Sequence, residues 1–358
     1  MAKIRLGIIG AGGIARRRVL PALSDCDRID VVAVMDPHTA AEVAKEFQIS
    51  KFFTNEDELL KDASIDAVYI ASPVFEHERQ LVACAMANKH VLCEKPLTMT
   101  LQQTESVISL FHQRKLFLQE GYMMKFHGAH QWISKTIREG KIGKVVSLRA
   151  QLSCWYPPMK GAWRQVKSKG GGGCLVDMST HLYDLLLDFA GPIQGISARV
   201  HHQVHDYEVE DSAVTLLDFK SGAIGTVESF FCVPDHAVPT RLEIYGTQGA
   251  ILSEGTIGQG GSGSLKAILN DGQERYESQQ NKGSIKSGFE DVSYQEVNPY
   301  RAEFELFAEC ILQNRPLPTN NSKNAWRISH LVNAAYRSSD EQRRIEVPSE
   351  EVYLKLMN

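Results

Sequence analysis

Short apolar runs alternate with amphipathic stretches through the first third of the chain. Residues 4–9, 29–35, 67–70, 90–93 and 116–118 are continuous and apolar, and predict strands. Between them, residues 14–23, 40–47, 76–87 and 101–114 carry apolar positions at helical spacing. Continuous apolar strands separated by helices predict a parallel sheet covered on both faces. Right-handed crossovers then make it a doubly wound α/β unit.

The pattern changes after Tyr122. A helix is predicted over 128–139 and strands over 145–153, 195–204, 213–219, 223–231 and 241–245. Turn pairs such as Ser221-Gly222 and Gln248-Gly249 close some of them. Short connections imply an open, mainly antiparallel sheet. Helices over 178–189, 301–313 and 325–338 would pack on it. The expected division is an α/β unit over 1–122 and an α+β unit over 123–358. The Gly/Ser-rich stretch 255–263 reads as a mobile surface loop.

Chemistry enters at the first strand-to-helix turn. Gly10-Ala11-Gly12-Gly13-Ile14-Ala15 fits G-x-G-x-x-A and sits between a predicted strand and a predicted helix. Gly10 permits the tight turn, Gly12 close approach to a pyrophosphate, and the following Gly13 and Ile14 lead into the helix whose free N–H groups favour an anion. The N-terminal unit is thus predicted to be a Rossmann domain. Asp36 ends the second strand, about twenty residues beyond the glycines, where a carboxylate accepts ribose hydroxyls and repels a 2′-phosphate. NAD is therefore expected over NADP. Ser72 and Pro73 follow the 67–70 strand, at the sheet edge where such folds place ligands. They either line the nicotinamide ribose or simply start a helix.

Composition narrows the partners. The chain has 358 residues, 43% hydrophobic and 23% charged, with a net charge of −4, all ordinary for globular domains. Lys and Arg are scattered, so no nucleic-acid footprint is visible. No apolar stretch approaches the ~20 residues of a membrane span, and the first residues lack a signal-peptide pattern. The 7 cysteines are dispersed without C-x-x-C, which argues against a disulfide framework or zinc site and for reduced thiols in the cytoplasm. His201, His202 and His205 read as solvated, and no metal is expected. An open sheet needs cover, so a homodimer or homotetramer is expected.

Glu94-Lys95-Pro96 follows the 90–93 strand, again at the ligand edge. The stretch Val91 to Leu97 resembles the signature of the glucose-fructose oxidoreductase / inositol dehydrogenase (Gfo/Idh/MocA) family. The resemblance continues through Gly121 to His127, Glu139 to Gly143, Gly171 to Gly173, Asp177 to His181 and Tyr245 to Gly249. It implies an NAD(P)-dependent oxidoreductase acting on the CH–OH groups of a sugar, inositol or related polyol, with Lys95, Asp177 and His181 as its catalytic set. Glu94 and Lys95 would also lie along the cofactor.

The same residues can be read from their chemistry. Hydride loss from a secondary alcohol requires an acceptor for the hydroxyl proton, and a group titrating near neutrality suits that task. His181 fits. Asp177 is four residues earlier, on the same face of a helix, and Lys95 supplies an ammonium that stabilises developing negative charge. Either Lys95 or His181 carries the proton; His181 is favoured. Lys125, Trp163 and Arg164 complete the expected substrate-binding set, since aromatic rings stack on sugar faces and cations hold hydroxyls or carboxylates. Family members often carry Arg at the position of Lys125, and Lys lacks that bidentate fork. Two other readings share the scaffold: an NAD-dependent glycosidase that oxidises its sugar transiently, and a non-catalytic NAD-binding regulator.

Overall fold

A computed structural model describes residues 2–238, 240–269 and 288–357. The first sheet holds β1 (Ile4–Ile9), β2 (Ile29–Met35), β3 (Lys51–Phe53), β4 (Ala67–Ile70), β5 (His90–Glu94) and β6 (Leu118–Gly121). All five pairings are parallel and the order is β3-β2-β1-β4-β5-β6. The crossovers contain α1 (Leu20–Leu23), α2 (Ala40–Glu46), α3 (Glu56–Leu60), α4 (Val74–Met86) and α5 (Leu101–Gln113). The winding reverses between β1 and β4, and the crevice beyond their C-terminal ends is where such sheets take ligands. Every residue of β4, and all but one of β1, is buried, which is why both read as unbroken apolar runs.

The second sheet has nine strands: β7 (Val145–Ser153), β8 (Ile193–His201), β9 (Ser212–Phe219), β10 (Ile224–Phe230), β11 (Arg241–Gly246), β12 (Gly249–Glu254), β13 (Ser264–Ile268), β14 (Glu290–Asp291) and β15 (Ile345–Glu346). Their order is β14-β13-β12-β11-β7-β10-β9-β8-β15. Only β7 and β10 run parallel among the described strands, so the sheet is mainly antiparallel. The later helices are α6 (Gly128–Arg138), α7 (Lys167–Gly170), α8 (Thr180–Ala190), α9 (Pro299–Gln313), α10 (Ser322–Glu341) and α11 (Glu350–Met357). One sheet face packs on helices. On the other, Val214 and Leu216 of β9, Ile224 of β10 and Tyr245 of β11 stand exposed.

The structure departs from the sequence pattern in places. The strand expected at 116–118 is β6, displaced to Leu118–Gly121. The helix expected from 178 begins as a π-helical turn, Leu175–Ser179, that runs into α8. β3 and β12 to β15 are elements the pattern did not predict. The stretch 255–263 lies mostly at the surface, as expected, but is anchored at two points. Thr256 and Ile257 are buried, the Thr256 hydroxyl lies 3.1 Å from His130 Nε2, and the Tyr294 hydroxyl donates to Gly263 O at 2.8 Å.

Candidate active site

The glycine loop lies at the reversal between β1 and β4. Gly10 has φ +87°, and a Cβ there would stand 2.5 Å from Ser72 N and 2.7 Å from Ala71 C. The ends of β1 and β4 thus touch through a residue that must be glycine. Beyond it the backbone is bare. A Cβ on Gly13 would meet nothing within 4 Å, and one on Gly12 would meet only Asp36 Oδ2 at 3.7 Å and Thr39 Oγ1 at 3.8 Å. Ile14, at the helix entry, makes no side-chain cap.

Asp36 is held by one oxygen. Its Oδ1 accepts the His38 and Thr39 N–H groups at 2.9 and 3.0 Å. Its Oδ2 accepts no hydrogen bond among the described residues, and the neighbouring Thr39 hydroxyl is buried without a partner. Bare glycine backbone beside one free carboxylate oxygen and one orphaned hydroxyl fits a dinucleotide with its adenosine ribose against Asp36. Thr39 was not singled out by the sequence; its place three residues past Asp36, in the turn that Asp36 itself caps, is the signal that marks it.

The ends of β4 and β5 are tied together. His77 Nε2 lies 2.9 Å from Ser72 O, and its Nδ1 lies 3.0 Å from Pro96 O. The Ser72 hydroxyl is taken up by Gln80. Pro73 is the residue from which α4 departs. Glu94 Oε1 accepts the Tyr69 hydroxyl at 2.7 Å; burial pushes its carboxyl up, against the pull of that hydroxyl and of Lys95.

Lys95 comes off the end of β5 and meets the π-helical turn. Its ammonium donates to Asp177 Oδ1 and to the Asp177 carbonyl, each at 2.8 Å. The Lys95 side chain is 13% exposed and that of Asp177 31%, so the pair sits at an opening rather than in the core. Burial opposes ionisation of Asp177, but the charges of Lys95 and Arg164 hold its carboxyl well below the usual carboxylate range. Arg164 Nε is 3.7 Å from the same oxygen, and its guanidinium stacks 4.3 Å over the Trp163 ring. His181 follows on α8. Burial, and then the Lys95 charge, lower its pKa well below the ordinary histidine value, so its imidazole is neutral at physiological pH.

The backbone sets this turn from behind. A Cβ on Gly173 would fall 1.9 Å from Glu210 O, and Glu210 Oε1 accepts the Gly173 and Leu175 N–H groups at 2.8 and 3.1 Å. The glycine run before the turn therefore serves close approach. A π-helical turn widens the helix just where Asp177 must face Lys95, and such turns recur at functional sites.

Lys125 is placed elsewhere. Its ammonium pairs with Asp184 Oδ1 at 2.6 Å, with side chains only 8% and 1% exposed, and Asn324 Nδ2 donates to the same oxygen at 2.6 Å. Its charge is thus held by Asp184, not by the Lys95–Asp177–Arg164 group. His205 is buried between Trp155 and Tyr207, with Nε2 3.1 Å from Phe231 O, and is not solvated. Among the described residues no group of three or more His, Cys, Asp or Glu is placed to hold a metal, and no helix is long and apolar enough to cross a membrane.

Two family models match the chain: an oxidoreductase family, NAD-binding Rossmann fold, over residues 4–122, and the GFO/IDH/MocA C-terminal domain over 130–252. It is 30% identical to 1,5-anhydro-D-fructose reductase of Ensifer adhaerens, over 71% of this chain and 77% of that protein. It is 27% identical to the NAD(+)-dependent scyllo-inositol 2-dehydrogenase of Bacillus subtilis (strain 168), over 89% of both. In fold it is similar to levoglucosan dehydrogenase solved with NADH, with a TM-score of 0.85 at 20% identity, covering 98% of this chain and 100% of that one. With the two sheets, the bare glycine loop and both matched segments in sequence order, the chain belongs to the Gfo/Idh/MocA family of oxidoreductases.

Proposed function

We propose that this chain is a dehydrogenase or reductase that exchanges a hydride between NAD(H) and a secondary hydroxyl or carbonyl of a sugar, inositol or related polyol. The observation that carries the reading is the Lys95 ammonium bridging two oxygens of Asp177 one helical turn before a neutral His181. Gly12, Gly13, Asp36 and Thr39 would hold the dinucleotide, which supplies or accepts the hydride when bound. Lys95 donates to the substrate oxygen and steadies its negative charge as the carbonyl forms. Asp177 keeps that ammonium aimed, and His181 takes or returns the hydroxyl proton. Arg164 and Trp163 stand at the mouth to hold the sugar. The front unit, 1–122, carries the cofactor and Lys95, and 123–358 the other substrate residues.

The test is a panel of aldoses, inositols and their keto forms, each followed at the NADH absorbance with NAD(H) and NADP(H). Turnover of at least one polyol with NAD(H) is expected. No turnover across the panel, despite dinucleotide binding, would count against the reading.

The dinucleotide preference rests on Asp36. Its free Oδ2 would accept a ribose hydroxyl and repel a 2′-phosphate. Asp36→Ala is expected to narrow the gap between NAD and NADP affinity by about tenfold or more, as one lost hydrogen bond to a charged group implies. A gap of wild-type size in titrations of both would show that another group reads the ribose.

The exposed row of Val214, Leu216, Ile224 and Tyr245 is proposed to be covered by a second copy, in a homodimer or homotetramer. Light scattering that returned the mass of one chain would overturn this. All seven cysteines are free thiols, which suits a cytoplasmic protein.

A further inference from the structure

Behind the His181 ring lies a sealed group of polar atoms that neither the glycine loop nor the Lys95–Asp177 pair explains. His181 Nδ1, the Tyr122 hydroxyl, Glu120 Oε2 and Asp184 Oδ2 are each buried without a hydrogen-bond partner among the described residues. Native interiors keep few such atoms, and here they are neighbours. The Tyr122 ring meets the His181 ring edge-on, with centroids 5.5 Å apart and planes at 88°. The Tyr122 hydroxyl faces the Glu120 carboxyl and the Thr180 hydroxyl. Asp184 lies one turn beyond His181 on α8, fixed through its other oxygen by Lys125 and Asn324. Glu120 cannot turn away. Its Oε1 accepts the Leu97 N–H at 2.8 Å, and its own N–H donates to Asn320 O at 2.9 Å.

We propose that Glu120 is a proton reservoir for carbonyl reduction, acting through the Tyr122 hydroxyl on Nδ1 of His181. The proposal rests on the reading above, in which His181 handles the substrate proton. The carbonyl carbon gains a hydride from the reduced dinucleotide, and the carbonyl oxygen gains the Nε2 proton of His181. Closing to hydrogen-bond contact as Nε2 gives up its proton, Nδ1 takes the Tyr122 hydroxyl proton and the Tyr122 oxygen takes the proton of Glu120. The products are the alcohol, the oxidised dinucleotide, ionised Glu120 and His181 with its proton on Nδ1; once the alcohol leaves, solvent at the mouth protonates Nε2 and the Nδ1 proton returns through Tyr122 to Glu120. Oxidation runs the same path backwards and needs Glu120 empty.

The protonation states agree with the geometry. Burial pushes the Glu120 carboxyl up to about 8, against the Leu97 N–H and the Lys95 charge and with the help of Asp184. It is therefore protonated at neutral pH. The ionisable groups that act on it are Cys93 and Lys95 at the end of β5, Tyr122 after β6 and Asp184 on α8. Reduction should fall as pH rises through about 8, and oxidation should rise over the same interval.

Glu120→Gln keeps an acceptor for the Leu97 N–H and removes the acidic proton. The first measurement needs no turnover. In infrared titration of the whole protein, the wild type is expected to show a carboxylic-acid stretch that fades through about pH 8, missing from the variant. If wild type and variant give the same spectrum in that interval, Glu120 holds no proton and the proposal fails. The second uses a carbonyl substrate from the sugar panel. Glu120→Gln is expected to lower kcat for reduction about tenfold or more at neutral pH, with KM little changed and the step in the pH profile gone. Tyr122→Phe should give the same loss with the infrared band intact. Wild-type kcat and pH profile in both variants would overturn the relay even if the band is Glu120's. A wild type that reduces none of the sugars would instead sink the functional reading, while the infrared result would still decide whether Glu120 stores a proton.

Discussion

Replacing Lys95 with alanine is expected to cut turnover by a factor of about a hundred to a thousand, the range found when a donor to a developing oxyanion is removed. NAD binding should be nearly unchanged, because the bare glycine backbone, Asp36 and Thr39 follow β1 and β2 while Lys95 follows β5 and bonds to Asp177. Lys95 does two things at once. On the proposed function it would present the ammonium to the substrate oxygen, and it supplies the hydrogen bonds that hold Asp177 at 2.8 Å through both carboxylate and carbonyl. Without it, burial is opposed mainly by Arg164, with a smaller pull from His181, and the Asp177 carboxyl moves back up. Lys95→Arg should rescue little, since the planar fork cannot replace a point donor in this corner. Steady-state kinetics beside cofactor titration separates the two quantities. A Lys95→Ala variant with more than about a tenth of wild-type kcat would remove Lys95 from the chemistry.

The largest expected effect on stability comes from Lys125. Its ion pair with Asp184 is almost wholly buried, and removing one partner of such a pair leaves a charge with no compensation. Lys125→Met is expected to cost about 3–5 kcal/mol in denaturant unfolding. Adding Asp184→Asn should recover much of that loss, because the amide carries no charge and still accepts from Asn324. The single variant should also regain stability as pH falls. Burial already raises the Asp184 carboxyl, and losing Lys125 raises it further, so the folded state binds a proton that the unfolded state does not. A loss below about 1 kcal/mol, or no recovery in the double variant, would show that Lys125 is paired by more than Asp184.

How much of this was written legibly along the chain follows from burial and distance. β1, β2, β4 and β5 are plain because parallel strands covered on both faces are unbroken apolar runs. β3 is three residues long and half open, so it carries no pattern. β6 was displaced because it carries Gln119 and Glu120, polar side chains buried in a strand, where an apolar run would have marked it. One of the two, Glu120, is the carboxyl beside Tyr122. That Lys95, Asp177 and His181 come together was readable from motif and spacing. The role of Lys125 was not, because its partner Asp184 is remote in sequence and only folding of the first 3₁₀ turn after β6 against α8 joins them. The burial of Thr256 within 255–263 was hidden for a similar reason: its partner, His130, lies far upstream on α6.

Helix α10 has a consequence for motion. It packs against β8 and α8 of the rear layer and against α5 and β6 of the front one, and Trp326 near its start is buried in the same cluster as Val68, Val91 and Ile108. A lever fixed at both ends cannot swing. The two layers are riveted along this side, which restrains any hinge between them, and front and rear are expected to melt as one body in a calorimetric scan.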